Sequence, residues 1–214
     1  MAKDQRLKVY LIRHGETLWN REVRCQGITD IPLTEKGYRQ ARSIAEALRE
    51  EPLGLVLSSP LMRARETATV IAEPYGLTVE TATELKEWNQ GELEGLAGPE
   101  LLRDHRAFCE RWFKDPAGTA PPGGEPLQAL QNRAWPIIDS LRERSLSGPL
   151  VVVSHNMTIG TILCATLGLD LAYIHRLRLN VGSRSTIEFA PLGLFSAWVL
   201  TALNDRSHLE DGLR

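Results

Sequence analysis

The sequence predicts an α/β fold: a three-layer α/β/α sandwich whose central sheet is mostly parallel, with an antiparallel edge strand. Three observations carry this. Short apolar runs at residues 9–12, 53–57 and 150–153 have the length and aliphatic content of buried strands. Each leads, directly or after a polar loop, into a segment with helical apolar spacing or a helix-start signal. Strands alternating with helices build a parallel sheet covered on both faces. With 214 residues, 43% of them hydrophobic, one core can be completed without a second domain.

In chain order, the first strand ends at Arg13-His14 and turns at Gly15. Residues 21–33 are polar and turn-rich and read as a loop over that strand end. Thr34 suits the cap of a helix to about residue 50, with Ala41, Ile44, Ala45 and Leu48 as its apolar stripe. The second strand ends in Ser58-Ser59-Pro60, with Pro60 expected at the first helical position. That helix carries Ala64, Ala68, Ile71 and Ala72 and stops at Pro74-Tyr75-Gly76. Residues 77–82 suit a short strand. Residues 83–98 are acidic, lack a period and read as an irregular, exposed loop. Residues 101–114 read as one helix, with Leu102, Phe108, Cys109 and Trp112 as apolar contacts. A Pro/Gly-rich loop follows at 116–126, then a long helix over about 125–144. The strand at 150–153 ends in Ser154-His155-Asn156 and enters a helix closed by Gly168. Residues 185–189 and 195–203 are strand candidates for the sheet edge.

Composition removes several function classes. Net charge is −2 and no block of Lys or Arg stands out, which disfavours a nucleic-acid or anionic-membrane surface. Cys25, Cys109 and Cys164 are odd in number and form neither a zinc spacing nor a disulfide framework. The longest apolar run, 157–169, is too short to span a bilayer. The polar start over residues 1–6 leaves no room for a signal peptide. A cytoplasmic location is the expectation, with a homodimer compatible with the sequence.

Ligands in such sheets sit beyond the carboxyl ends of the strands. The strand ends offer Arg13 and His14, then Arg63 and Arg65, then His155. Cations in the first turns of a helix oppose its dipole, so an anion is expected at that helix end, where free N–H groups point. Two arginines and two histidines around one point imply a dianion, with phosphate the obvious candidate. No nucleophile-elbow serine or P-loop is present. His14 is the candidate nucleophile, since imidazole forms and releases a covalent intermediate and nearby cations keep it neutral. An alcohol leaving phosphate needs a proton donor, and the acidic loop offers Glu84, Glu87, Glu92 and Glu94.

The run Leu11-Ile12-Arg13-His14-Gly15-Glu16-Thr17, with Asn20 beyond it, resembles the signature of the histidine phosphatase superfamily. More narrowly it resembles branch 1, which holds phosphoglycerate mutases and broad-specificity phosphatases. The likeness continues through Gln26-Gly27, Asp30-Ile31-Pro32-Leu33-Thr34, Ser58-Ser59-Pro60, Arg63-Ala64-Arg65-Glu66-Thr67-Ala68, Gly123-Gly124-Glu125, Val153-Ser154-His155 and Ser207-His208-Leu209. It implies a phosphoglycerate mutase-like fold in one domain over 1–214, with an acid loop and lid segment at about 83–122 inserted. It implies His14 as the phosphorylated residue, with Arg13, Arg63 and His155 holding the phosphoryl group. It selects Glu87 as proton donor and makes Glu92 and Glu94 structural. Asn20, Gln26, Gly27 and Arg65 are implied to line the phosphate or substrate pocket, with no metal and no cofactor required. Two departures stand out. Asn156 occupies a usual glycine position, which bears on substrate choice. The lid interval has Arg103, Arg106, Arg111 and Lys114 but no adjacent Arg-Arg pair, which favours a phosphomonoesterase for a small phosphorylated metabolite over a phosphoglycerate mutase using a bisphosphoglycerate primer. A non-catalytic phosphoester-binding domain is the reading from another class. The leaving alcohol is left open.

Overall fold

A computed structural model describes residues 6–214; of the polar N-terminal stretch, residues 1–5 lie outside the described residues. Strand β1 (Leu7–Arg13) is followed by the single turn α1 (Leu18–Arg21) and by α2 (Glu35–Ala47). Then come β2 (Leu55–Ser58), α3 (Met62–Ala72) and β3 (Val79–Thr81). Helices α4 (Gly98–Asp104), α5 (Arg106–Lys114) and α6 (Leu127–Ser140) precede β4 (Leu150–Ser154). The chain closes with α7 (Asn156–Leu167), β5 (Arg184–Leu192) and β6 (Phe195–Asp205).

The sheet order is β3-β2-β4-β1-β5-β6. Pairing is parallel from β3 to β1, whereas β5 runs antiparallel to both β1 and β6. The antiparallel pairing is thus confined to one side of the sheet, with the reversed strand one in from the edge. The alternation of β1 divides the core, as strand geometry requires. Val9 and Leu11 join Ala134, Ile138, Ile159 and Ile162 under α6 and α7. Tyr10 and Ile12 join Ile44, Ala64, Ala68 and Ile71 under α2 and α3. A third cluster packs Trp88, Leu93 and Phe108 against Leu127, Leu130 and Cys164.

Several local expectations change. The acid loop is not an exposed excursion: Leu85, Glu87, Trp88 and Leu93 are all buried, because its apolar side chains close the end of the α6–α7 layer. The segment 101–114 is two helices broken at His105 (φ −127°, ψ 31°), and Leu102 faces solvent while Phe108 is buried. Pro60 lies ahead of the N-cap residue Leu61 rather than inside α3, and fixes the turn in which Ser59 Oγ accepts from Leu61 N–H at 3.3 Å. Thr34 caps α2 as expected, accepting from Gly37 N–H.

Gly15 is required by close approach. A Cβ there would sit 2.5 Å from the Gly37 carbonyl oxygen, and one on Gly37 would sit 2.3 Å from the Glu16 oxygen. The two glycines let the turn after β1 lie directly on the first turn of α2. Gly15→Ala must push one backbone off the other, so it is expected to cost at least about 2 kcal/mol, in the range of core overpacking. Urea unfolding checks this; a variant as stable as wild type contradicts the contact.

Candidate active site

Strand register assembles the site. Arg13 of β1 is level with Ser154 of β4, and Ser58 of β2 is level with Val153 of the same strand. The residues just past these ends, His14, Ser59 and His155, therefore stand side by side. Backbone bonds pin them: His14 N–H donates to the Ser154 carbonyl at 3.1 Å and Ser59 N–H to Val153 at 3.0 Å. The His14 and His155 rings are 5.1 Å apart between centroids.

His14 Nδ1 lies 2.7 Å from the Gly15 carbonyl oxygen. A carbonyl only accepts, so Nδ1 carries the proton and Nε2 keeps a free lone pair. Burial, then Arg63 and then Arg13, hold the His14 pKa well below the ordinary histidine value. His155 is depressed in the same way by burial first and by Arg63 next. Its Nδ1 accepts from Arg63 Nε at 3.2 Å, which places the proton on Nε2, 2.8 Å from Ser59 Oγ.

Arg63 is fully buried, and burial lowers its pKa to about 10, opposed mainly by Glu87. Its Nη2 donates to the Gly27 carbonyl at 2.6 Å and its Nη1 to Thr29 at 2.9 Å. Gln26, with its amide oxygen turned to the guanidinium, shares the one Nε–H with His155, accepting it at 2.8 Å, accepts from Nη1 at 3.2 Å and donates to Thr17 Oγ1 at 2.6 Å. So Gln26 and Gly27 act on the site by holding Arg63. Arg13 donates from Nη1 to the Leu179 carbonyl at 2.6 Å, while its buried Nε has no acceptor among the described residues. A buried donor without a partner is costly, and this one suits an incoming anion.

Glu87 is buried at the N-terminus of α7. Its carboxylate accepts from Trp88 N–H at 2.8 Å and from Met157 N–H, Thr158 N–H and the Thr158 hydroxyl, each at 3.2 Å. Arg133 on α6 fixes the loop that carries it, donating to the carbonyls of Glu84, Lys86 and Glu87 and pairing with Glu125 at 2.6 Å. Glu125 in turn accepts from Asn89 N–H, and its carbonyl accepts from Trp88 Nε1. Glu94 accepts from the backbone of Ile28 and Thr29, Glu84 accepts from the Thr83 hydroxyl in an exposed contact, and Glu92 is exposed, so Glu87 is the one acid-loop carboxylate at the strand ends.

Asn20 and Asn156 reach a cavity of about 500 Å³ that also takes in Arg13, Gln26, Glu87 and Trp88. Asn20 further completes a capping box with Thr17. Val23, at the mouth, has φ 54°, a strained backbone for a β-branched residue and a feature met at functional sites. Arg65 does not join the site. It projects to solvent, because residues two apart on a helix point roughly 200° apart and Arg63 takes the inward direction. The anion at the start of α3 is also supplied from within: Asp30 accepts from Met62 N–H at 2.7 Å. Ser59, Thr158 and Arg133 carry no chemical signature in the sequence. Only the place of Ser59 and His155 beside strand ends hints that they meet.

No group of three His, Cys, Asp or Glu side chains is placed to hold a metal ion among the described residues. No described helix is long and apolar enough to cross a membrane.

The fold thus gathers two neutral imidazoles, two guanidiniums and a carboxylate at one edge of a mostly parallel sheet. The sequence model described as histidine phosphatase superfamily (branch 1) matches residues 9–206, and the chain belongs to that family. A protein of Yersinia pestis named as a probable phosphoglycerate mutase is 37% identical over 205 residues, 95% of each chain. A mycobacterial glucosyl-3-phosphoglycerate phosphatase solved with VO3 superposes with TM-score 0.83 at 31% identity, over 92% of this chain and 98% of that one. An alpha-ribazole phosphatase from Shigella flexneri gives 0.80 at 28% identity, over 93% and 96%.

Both histidines are neutral when folded, whereas unfolded histidine takes up a proton near pH 6.5. Their stabilisation is complete above that pH and is lost as pH falls toward the depressed folded values, approaching about 1.4 kcal/mol per pH unit for each. Urea midpoints between pH 7.5 and 5.5 are expected to fall less steeply for His14→Gln than for wild type. Equal slopes contradict the assignment.

Proposed function

We propose that the chain is a phosphomonoester hydrolase working through a phosphohistidine at His14, on a small phosphorylated metabolite and without a metal or cofactor. The observation that carries this is the His14 tautomer: with Nδ1 tied to the Gly15 carbonyl and the imidazole kept neutral, Nε2 is a nucleophile facing a cluster of cations.

The steps balance as follows. The Nε2 lone pair attacks phosphorus, and the ester P–O bond breaks. Arg13 and Arg63 stabilise the charge on the transferring oxygens, and His155 joins them when its Nε2–H exchanges Ser59 Oγ for a phosphoryl oxygen. Glu87, in its carboxylic acid form, passes its proton to the departing alkoxide. Water then attacks the phosphohistidine, its proton goes to Glu87, and the P–N bond breaks to give phosphate and neutral His14. Thr158 and the Arg133–Glu125 pair keep the carboxylate at its station throughout. Residues 83–122 serve as acid loop and lid within one domain, and the site works in a cytoplasmic setting.

Phosphoglycerate mutation is the second reading, favoured by the name of the Yersinia relative. Against it, Arg103, Arg106, Arg111 and Lys114 all face solvent, so none is placed to grip a substrate carboxylate. His14→Ala is expected to lower phosphate release from p-nitrophenyl phosphate at least about 10³-fold, the scale of losing a nucleophile, while wild-type activity survives a chelator. Residual turnover near wild type contradicts the mechanism. Isomerisation of 3-phosphoglycerate with its bisphosphate primer, in place of free phosphate, supports the mutase instead.

A further inference from the structure

Arg13, Glu87 and Asn156 line a cavity whose far wall is aromatic. Trp88, Leu101 and Trp112 line both the 500 Å³ cavity at Arg13 and a second of about 330 Å³ beneath α4 and α5. Trp88 and Trp112 stack at 4.7 Å between ring centroids, and Phe108 continues the stack at 6.1 Å from Trp112. Trp88 is held rigidly by its Nε1 bond to the Glu125 carbonyl at 2.6 Å. It also follows Glu87 directly in the chain. In the proposed chemistry Glu87 marks the side on which the alcohol departs, so the ring stack begins where the leaving group must lie.

Charge narrows the class of occupant. Besides Arg13, the cation in this wall is Arg24, and it is already matched by Glu22 at 2.7 Å, Glu100 at 3.4 Å and the Gly95 carbonyl at 2.8 Å. A second anionic group on the substrate would have to break those contacts or settle for the neutral amides of Asn20, Gln90 and Asn156, which bind an anion more weakly than a cation does. An uncharged ring loses no such partner and gains burial and stacking against indole.

We propose that this cleft is a leaving-group subsite and that the preferred substrates are phosphomonoesters of an uncharged alcohol bearing an aromatic ring. The proposal rests on the hydrolase reading of the same site. It also accounts for the lid helices lacking inward cations, since they present Leu101 and Trp112 to the cavity instead.

The test measures phosphate release by the full chain from 2-phenylethyl phosphate, sn-glycerol 3-phosphate and 3-phosphoglycerate, all esters of primary alcohols, so that intrinsic leaving ability is similar. The kcat/KM for the phenylethyl ester is expected to exceed the other two about 10- to 100-fold, the scale of burying one ring. Trp112→Ala is expected to lower it at least about tenfold, chiefly through KM, while glycerol phosphate stays within about twofold. Leu101→Asn, a smaller change on a different helix, should act in the same direction. Equal or faster turnover of either polar ester, or equal losses on all three in both variants, overturns the subsite while leaving the hydrolase standing. No release from any ester, p-nitrophenyl phosphate included, overturns the hydrolase reading and the subsite with it.

Discussion

The parallel register between β1 and β4 is the constraint on which the rest depends. Because Arg13 and Ser154 are level across that pair, the residue that follows each is a histidine and the two tilted rings lie 5.1 Å apart. A slip of one residue would do more than separate them. It would turn the inward side chains of a strand to the opposite face and exchange the two halves of the core. The same apolar alternation that gives the domain its stability therefore fixes the geometry of its chemistry to within a strand spacing. The glycine contact between Gly15 and Gly37 then holds the turn after His14 against α2. The tail is tied to the same place: Gln40 of α2 donates to the Leu213 carbonyl and accepts from Glu16 N–H, while His208 Nε2 lies 2.9 Å from the Gly182 carbonyl, and Gly182 N–H bonds the carbonyls of Arg13 and His14.

Electrostatically the site is an arrangement of buried positive charge around neutral imidazoles. A buried guanidinium is tolerated only when its donors are satisfied, and Arg63 meets that condition by binding the loop at residues 26–30. The cost of burying it is offset by ordering a segment that has little apolar content of its own. Burial, reinforced by the same cation, keeps His155 and His14 unprotonated. Arg63 thus links loop order and histidine protonation state in one side chain. Glu87 is governed by a separate scaffold, the amide end of α7 and the Arg133 clamp, so Glu87 and His14 are positioned by different layers of the sandwich.

Much of this was legible in residue patterns. The three strand ends, the helix cap at Thr34 and the clustering of Arg13, His14, Arg63 and His155 follow from apolar periodicity and the strand-end rule. What escaped was tertiary. The acid loop reads as solvent-exposed because its few apolar residues have no period, yet Leu85, Trp88 and Leu93 are buried by helices distant in sequence. Arg65 reads as equivalent to Arg63 in a list of cations, and only the helical angle between them separates the inward residue from the outward one. Arg133 looks like an ordinary surface position on an amphipathic helix; its role lies in bonds to backbone carbonyls almost fifty residues away, which no side-chain pattern encodes. Asp30 at the start of α3 shows that an anion expected there from helix physics can come from the chain itself.

The central claim is that His14 Nε2 becomes covalently phosphorylated. Rapid quenching of the enzyme during turnover, followed by mass spectrometry under alkaline conditions that preserve phosphohistidine, tests it directly. The account predicts a phosphoryl group on the peptide containing His14, accumulating when Glu87→Gln slows the attack of water and absent in His14→Ala. A phosphoryl group on another residue, or full turnover with none at His14, contradicts it.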